Sequence, residues 1–188
     1  MKTITKILAL VAALSLSNAA FAQEQTAGSL GAQLGLGVAG GGDDLADISF
    51  DDGSSQTLKA GNGVAYYVGF LKTFENQALA LQGTVGYLVD ETTAVNSRAR
   101  MSRYPVDLIL FYRNGKHRFG GGLTHHLSPS LDLDNLGGRI DFENATGFLL
   151  EYGYWIFSVR YTGIDYTVDG SGGSIDGSSL GVHLTLNY

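Results

Sequence analysis

The chain has 188 residues and a formal net charge of −6 at pH 7, from 12 Lys and Arg against 18 Asp and Glu, which leaves room for one domain and little more. It contains no cysteine, and that excludes disulfide frameworks, thiolate metal sites, cysteine nucleophiles and a lipidated N-terminal cysteine together. With 27 glycines, 2 prolines and a 44% hydrophobic share the chain folds rather than staying disordered, and without a basic patch to neutralise phosphates it has no nucleic-acid partner.

Residues 1–22 read as a cleaved signal peptide. Lys2 and Lys6 supply the positive start, Ile7 to Leu16 the apolar stretch, and Ala20-Phe21-Ala22 the small-x-small cleavage pattern. That stretch is shorter than the roughly 20 residues of a spanning helix. Residues 23–188 are then one domain.

From there on the hydrophobic period is two. The first predicted strand sets Leu30, Ala32, Leu34, Leu36 and Val38 against Gly31, Gln33, Gly35 and Gly37. The second sets Val64, Tyr66, Val68 and Phe70 against Ala65, Tyr67 and Gly69, and the third Leu79, Leu81, Val85 and Tyr87 against Ala80, Gln82, Thr84 and Gly86. In the fourth, Tyr104, Val106, Leu108, Leu110 and Tyr112 oppose Arg103, Asp107 and Ile109. The fifth opposes Phe119, Leu123, His125 and Leu127 to Arg118, Thr124 and His126. The sixth opposes Phe148, Leu150 and Tyr152 to Leu149 and Glu151, and the seventh Trp155, Phe157, Val159 and Tyr161 to Ser158, Arg160 and Thr162. The last opposes Leu180, Val182, Leu184, Leu186 and Tyr188 to Gly181, His183, Thr185 and Asn187.

Connections alternate in length. Lys72 to Ala78, Arg113 to Lys116 and a tight Gly153-Tyr154 corner are short, and Asn114-Gly115 is a strong hairpin signal. Ala39 to Asn62, Val89 to Ser102, Ser128 to Ala145 and Ile164 to Ser178 are long. This describes an all-β fold: an eight-stranded antiparallel transmembrane β-barrel with four long extracellular loops, three short periplasmic turns and strands of about ten residues. A soluble lipocalin-like barrel would turn the apolar face inward instead. Glycines concentrated on the opposite face suit a crowded interior. Aromatics at both ends of the apolar face read as interfacial girdles: Phe70, Tyr112, Tyr152, Trp155 and Tyr188 toward the turns, Tyr66, Tyr87, Tyr104 and Tyr161 toward the loops.

The leader, the eight amphipathic strands and the ending Leu180-Gly181-Val182-His183-Leu184-Thr185-Leu186-Asn187-Tyr188 resemble the small outer-membrane β-barrel proteins of Gram-negative bacteria, in particular outer membrane protein A and X type domains. The resemblance implies an outer-membrane location, with the aromatic Tyr188 as part of the signal read by the barrel assembly machinery. It covers adhesins, structural anchors, narrow pores and lipid-modifying enzymes, so it leaves activity open.

Three constellations carry candidate chemistry. Arg103 and Asp107 lie four apart on one strand, Glu151 and Arg160 face each other across a hairpin, and Arg118 shares the polar face. An eight-stranded lumen is only wide enough to fill with side chains, and buried charges need partners. These five therefore read as a lumenal ion-pair network, with a narrow gated pore as the functional alternative. His126 and Ser128, with Glu143 further along, have the residue types of a hydrolytic triad. Their spacing resembles the lipid A 3-O-deacylase barrels, which would make His126 the base, Ser128 the nucleophile and Glu143 the orienting acid. Pro129 stands where that family has an asparagine-alanine-glycine run, and Leu127 on the lipid face would turn His126 and Ser128 inward. Finally, Asp132, Asp134, Gly137 and Glu143 match positions 1, 3, 6 and 12 of a calcium loop, with Leu136 at position 5 and no flanking helices. The two readings there are a weak calcium site and a solvated loop.

Fourteen of the 18 acids lie in the four long loops, so a structural or surface-interaction role follows: envelope integrity, or binding of a partner or cation through acidic loops. The partners expected are outer-membrane lipid and lipopolysaccharide, the assembly machinery and an extracellular partner of unspecified chemistry. The barrel is expected as a monomer without a cofactor. A lipid A-modifying hydrolase and a narrow gated pore are the alternatives.

Overall fold

A computed structural model describes residues 27–49, 55–93, 98–134, 138–170 and 172–188. The leader lies outside the described residues, as do Gly137 and the side chain of Asp134. Every regular element among the described residues is a β-strand: β1 (Leu30–Gly40), β2 (Asp44–Ser49), β3 (Ser55–Lys59), β4 (Gly63–Thr73), β5 (Leu79–Thr93), β6 (Arg98–Asn114), β7 (His117–Asp134), β8 (Gly138–Asp141), β9 (Ala145–Tyr154), β10 (Phe157–Gly163), β11 (Asp165–Thr167), β12 (Ser174–Asp176) and β13 (Ser179–Asn187).

Eight of these close into an antiparallel barrel, in the order β6-β5-β4-β1-β13-β10-β9-β7 with β7 pairing back onto β6. Closure joins the first strand to the last through Leu34↔Leu186 and Val38↔Val182, so both ends of the ladder find partners. The alternation places its apolar set outward. Leu34, Val68, Val85, Leu108, Leu123, Leu150, Val159 and Val182, one from each barrel strand, are each 45–61% exposed. Their strand neighbours fill the interior. Gly35 and Gly37 make room there: a Cβ at the first would overlap the Tyr67 ring, and at the second the His183 ring.

The strands on one side outgrow the expected ten residues, at 15 in β5, 17 in β6 and 18 in β7. Much of the stretch read as a loop from Val89 to Ser102 is thus strand. The remaining long connections carry the β2–β3 and β11–β12 hairpins, and β8 pairs on the edge of β7. The last short turn also moves. Tyr154 pairs with Phe157, leaving Trp155 and Ile156 as the two-residue turn instead of Gly153-Tyr154, with Trp155 at a φ of 57°. Gly153 is a strand residue facing inward, where a Cβ would overlap the Arg118 side chain. It reads as a breaker in sequence, yet its smallness serves packing.

Candidate functional site

The interior is layered. In the middle, Glu151 of β9 and Arg160 of β10 are direct cross-strand partners. Arg160 Nη2 lies 2.7 Å and its Nε 2.8 Å from Glu151 Oε2, while its Nη1 donates to Asp107 Oδ2 of β6 at 2.8 Å. Arg118 Nη2 of β7 donates to the other Glu151 oxygen at 3.1 Å. Asp107 accepts further from Thr124 Oγ1 at 2.6 Å, its cross-strand neighbour on β7. The Tyr67 hydroxyl and Thr185 Oγ1 are 2.7 Å apart, and the Arg160 guanidinium sits 5.6 Å from the Tyr67 ring centroid. All four charged residues are under 9% exposed. Burying a charge costs several kcal/mol (order of magnitude) unless opposite charge and hydrogen bonds compensate it, and here two guanidiniums alternate with two carboxylates, the Arg160–Asp107 bond crossing the lumen between strands β10 and β6, which are not neighbours.

Toward the short turns the filling becomes apolar, with Leu71, Ala80, Ile109, Phe111 and Leu149 packed as one buried cluster. Toward the long loops a second apolar cluster forms from Leu58, Met101, Leu131, Phe142, Ile164 and Tyr166, among others. This cluster draws on the β2–β3 connection, the extended β6 and β7, and the segments around β11. Backbone bonds knit those connections together: Asp43 N donates to Asp176 O, Glu143 N to Thr167 O and Asp169 N to Asp141 O. The loops are acidic on their exposed face, yet they fold over a core instead of simply repelling one another.

Arg103 belongs to this cap and not to the central network. Although four residues from Asp107, it donates from Nη2 to the Asn62 carbonyl at 2.9 Å and lies 5.8 Å from the Tyr166 ring. Its side chain is 1% exposed. The nearby Asp90 carboxyl is pushed above its ordinary range by burial, against the opposing pull of Asn62 and Arg103.

The triad residues are not brought together. His126 faces inward, 4% exposed, with Nδ1 2.6 Å from the Tyr166 hydroxyl. Ser128 is exposed, because a bulge between the Ser102↔Ser130 and Tyr104↔Leu127 pairs leaves it at a φ of 47° and turns it out of the expected inward face. Its amide donates to Asn144 Oδ1. Glu143 meets loop backbone at Thr167. The calcium pattern is also rearranged, since Asp132 pairs with Arg139 in the β7–β8 hairpin, which is an extended ladder and not a wrapping loop. Among the described residues no three His, Asp or Glu side chains converge as metal ligands. Tyr188 is 43% exposed at the barrel seam, its amide donating to Ala32 O.

No protein-family model matches the chain, and no curated protein matches it. Among solved structures it is similar to Ail, the attachment invasion locus protein of Yersinia pestis, crystallised with the heparin analogue sucrose octasulfate. That match has a TM-score of 0.47 and 14% identity, and covers 86% of this chain and 100% of the other.

Sequence reasoning did not single out Tyr67, Thr124, Asn62 or Tyr166 as parts of these networks. Tyr67 and Thr124 had a signal, since both sit on the inward face by the period of two. Asn62 and Tyr166 had none, because loop residues carry no periodicity from which an inward direction can be read.

Proposed function

We propose that this chain is an integral outer-membrane β-barrel of a Gram-negative cell, with its lumen shut to ions and its acidic loop end turned outward for a structural or surface-interaction role. The observation that carries this reading is the belt of exposed aliphatic side chains running around all barrel strands, with charge confined to the interior. An uninterrupted belt of that kind exceeds the apolar patches of soluble monomers, and it suits hydrocarbon because closure of the ladder leaves no barrel strand with an unpaired edge. Aromatics bounding the belt, among them Tyr66 and Tyr104 at one end and Tyr112 and Trp155 at the other, sit at headgroup height. On this reading Tyr188 and the alternating Val182, Leu184 and Leu186 serve as the assembly signal, and the folded loops meet lipopolysaccharide or an extracellular partner.

The lumen reading is tested in planar bilayers. The refolded wild-type barrel is expected to show no conductance steps, and Arg160→Ala, which frees Asp107 and Glu151 from their shared cation, is expected to admit ions. Steady conductance by the wild type would contradict a closed lumen. The separation of inward His126 from outward Ser128 supports a non-hydrolytic barrel, for which lipid A mass profiles with and without the protein are expected to be the same.

A further inference from the structure

The two ends of the barrel differ in charge. Exposed acids such as Asp43, Asp44, Asp47 and Asp141 crowd the long-loop end, whereas at the short-turn end Lys72, Arg113 and Lys116 stand, among the described residues, against Glu75 and the terminal carboxylate of Tyr188. Arg113 is paired in register with a like charge, Arg118, and donates to the Thr73 hydroxyl and to no carboxylate.

On the outer surface of that end the β6–β7 and β9–β10 turns are fastened together, with Trp155 N donating to Lys116 O at 2.8 Å. His117 lies between the strands, its ring centroid 5.0 Å from that of Tyr154 and 6.1 Å from that of Tyr152, and its Nδ1 2.9 Å from the Tyr152 hydroxyl. Tyr152, Tyr154 and Trp155 are each 42–50% exposed, and the exposed Lys116, tied to Trp155 through its backbone oxygen, has no ion pair among the described residues. This is an outward aromatic shelf with ring N–H and O–H donors, and a lysine is carried on the turn fastened to it.

We propose that this shelf binds the headgroup of an anionic phospholipid, with Lys116 on the phosphate and the rings of Tyr154 and Trp155 against the glycerol and upper acyl chain. Amphipathic rings favour that depth, and a basic side chain near an anionic lipid surface strengthens the contact. A zwitterionic headgroup would bring its own ammonium to a rim already in excess of positive charge. The site rests on the membrane-spanning reading above and adds the class of lipid.

Trp155 is the single tryptophan of the chain, so its fluorescence reports on the lipid beside it. The refolded chain is placed in vesicles of phosphatidylcholine and phosphatidylglycerol in equal parts, with one or the other lipid brominated near the headgroup end of its acyl chains. Brominated phosphatidylglycerol is expected to quench Trp155 with about a fivefold higher relative binding constant. Lys116→Gln and high salt are each expected to bring the two lipids close to parity. Equal quenching by both lipids in the wild type would overturn the lipid inference alone. Absence of quenching by either lipid, in a chain that migrates as folded barrel on unheated gels, would overturn the membrane reading itself.

Discussion

At the scale of single residues, the interior is decided by which side chains can share charge. Arg160 works because one guanidinium reaches two carboxylates on different strands, and Glu151 works because its two oxygens take two different arginines. Asp90 is less well served. Burial raises its carboxyl above the ordinary range, so the folded chain binds that proton more tightly than the unfolded chain. Its contribution to stability is therefore present below the ordinary carboxylate pKa and is lost as pH rises through the raised value. Across the acidic range the urea unfolding midpoint of the wild type is expected to drop relative to that of Asp90→Asn as pH rises, the other carboxylates contributing alike to both proteins. Identical slopes in the two proteins would show that Asp90 is not the group responsible. The central network was legible because Arg118, Glu151 and Arg160 sit on the same face as glycines and threonines in alternating strands. Arg103 was misgrouped because spacing along a strand gives its face but not whether the side chain leans toward the middle or the mouth.

At the scale of elements, alternation identified every barrel strand, while irregularities moved the details. The bulge at Ser128 is the main one: a residue in left-handed backbone adds one position to β7 and reverses every face after it. In sequence Ser128-Pro129 reads as the end of a strand and not as a bulge within one, and Leu131 is buried where uninterrupted alternation would point it outward. Glycine is favoured at such a φ and a β-branched residue is disfavoured. Ser128→Val is expected to be about 1–3 kcal/mol less stable than Ser128→Gly in equilibrium unfolding. Equal stability of the two variants would argue against the bulge. The Trp155 turn escaped notice for a related reason, since Gly153 and not Trp155 carries the residue type associated with turns.

At the scale of the whole molecule, the balance of the outward and inward faces decides what surrounds the barrel. A period of two says only that the faces differ. Closure of the ladder, with aliphatics outside and paired charges within, turns that difference into an outside and an inside. The cap was hidden from sequence reasoning because its apolar residues, such as Leu58, Phe142 and Ile164, are scattered through acidic connections without a period. The absence of cysteine allows the surroundings of each face to be tested residue by residue. Single cysteines from Val106 to Phe111 in β6, each carrying a nitroxide, would be compared for collision with oxygen and with a water-soluble nickel chelate after refolding into vesicles. Oxygen access with little nickel access is expected at Val106, Leu108 and Leu110, and low access to both at Asp107, Ile109 and Phe111. Nickel reaching Val106, Leu108 and Leu110 as freely as oxygen would place that face in water and contradict a membrane-spanning barrel.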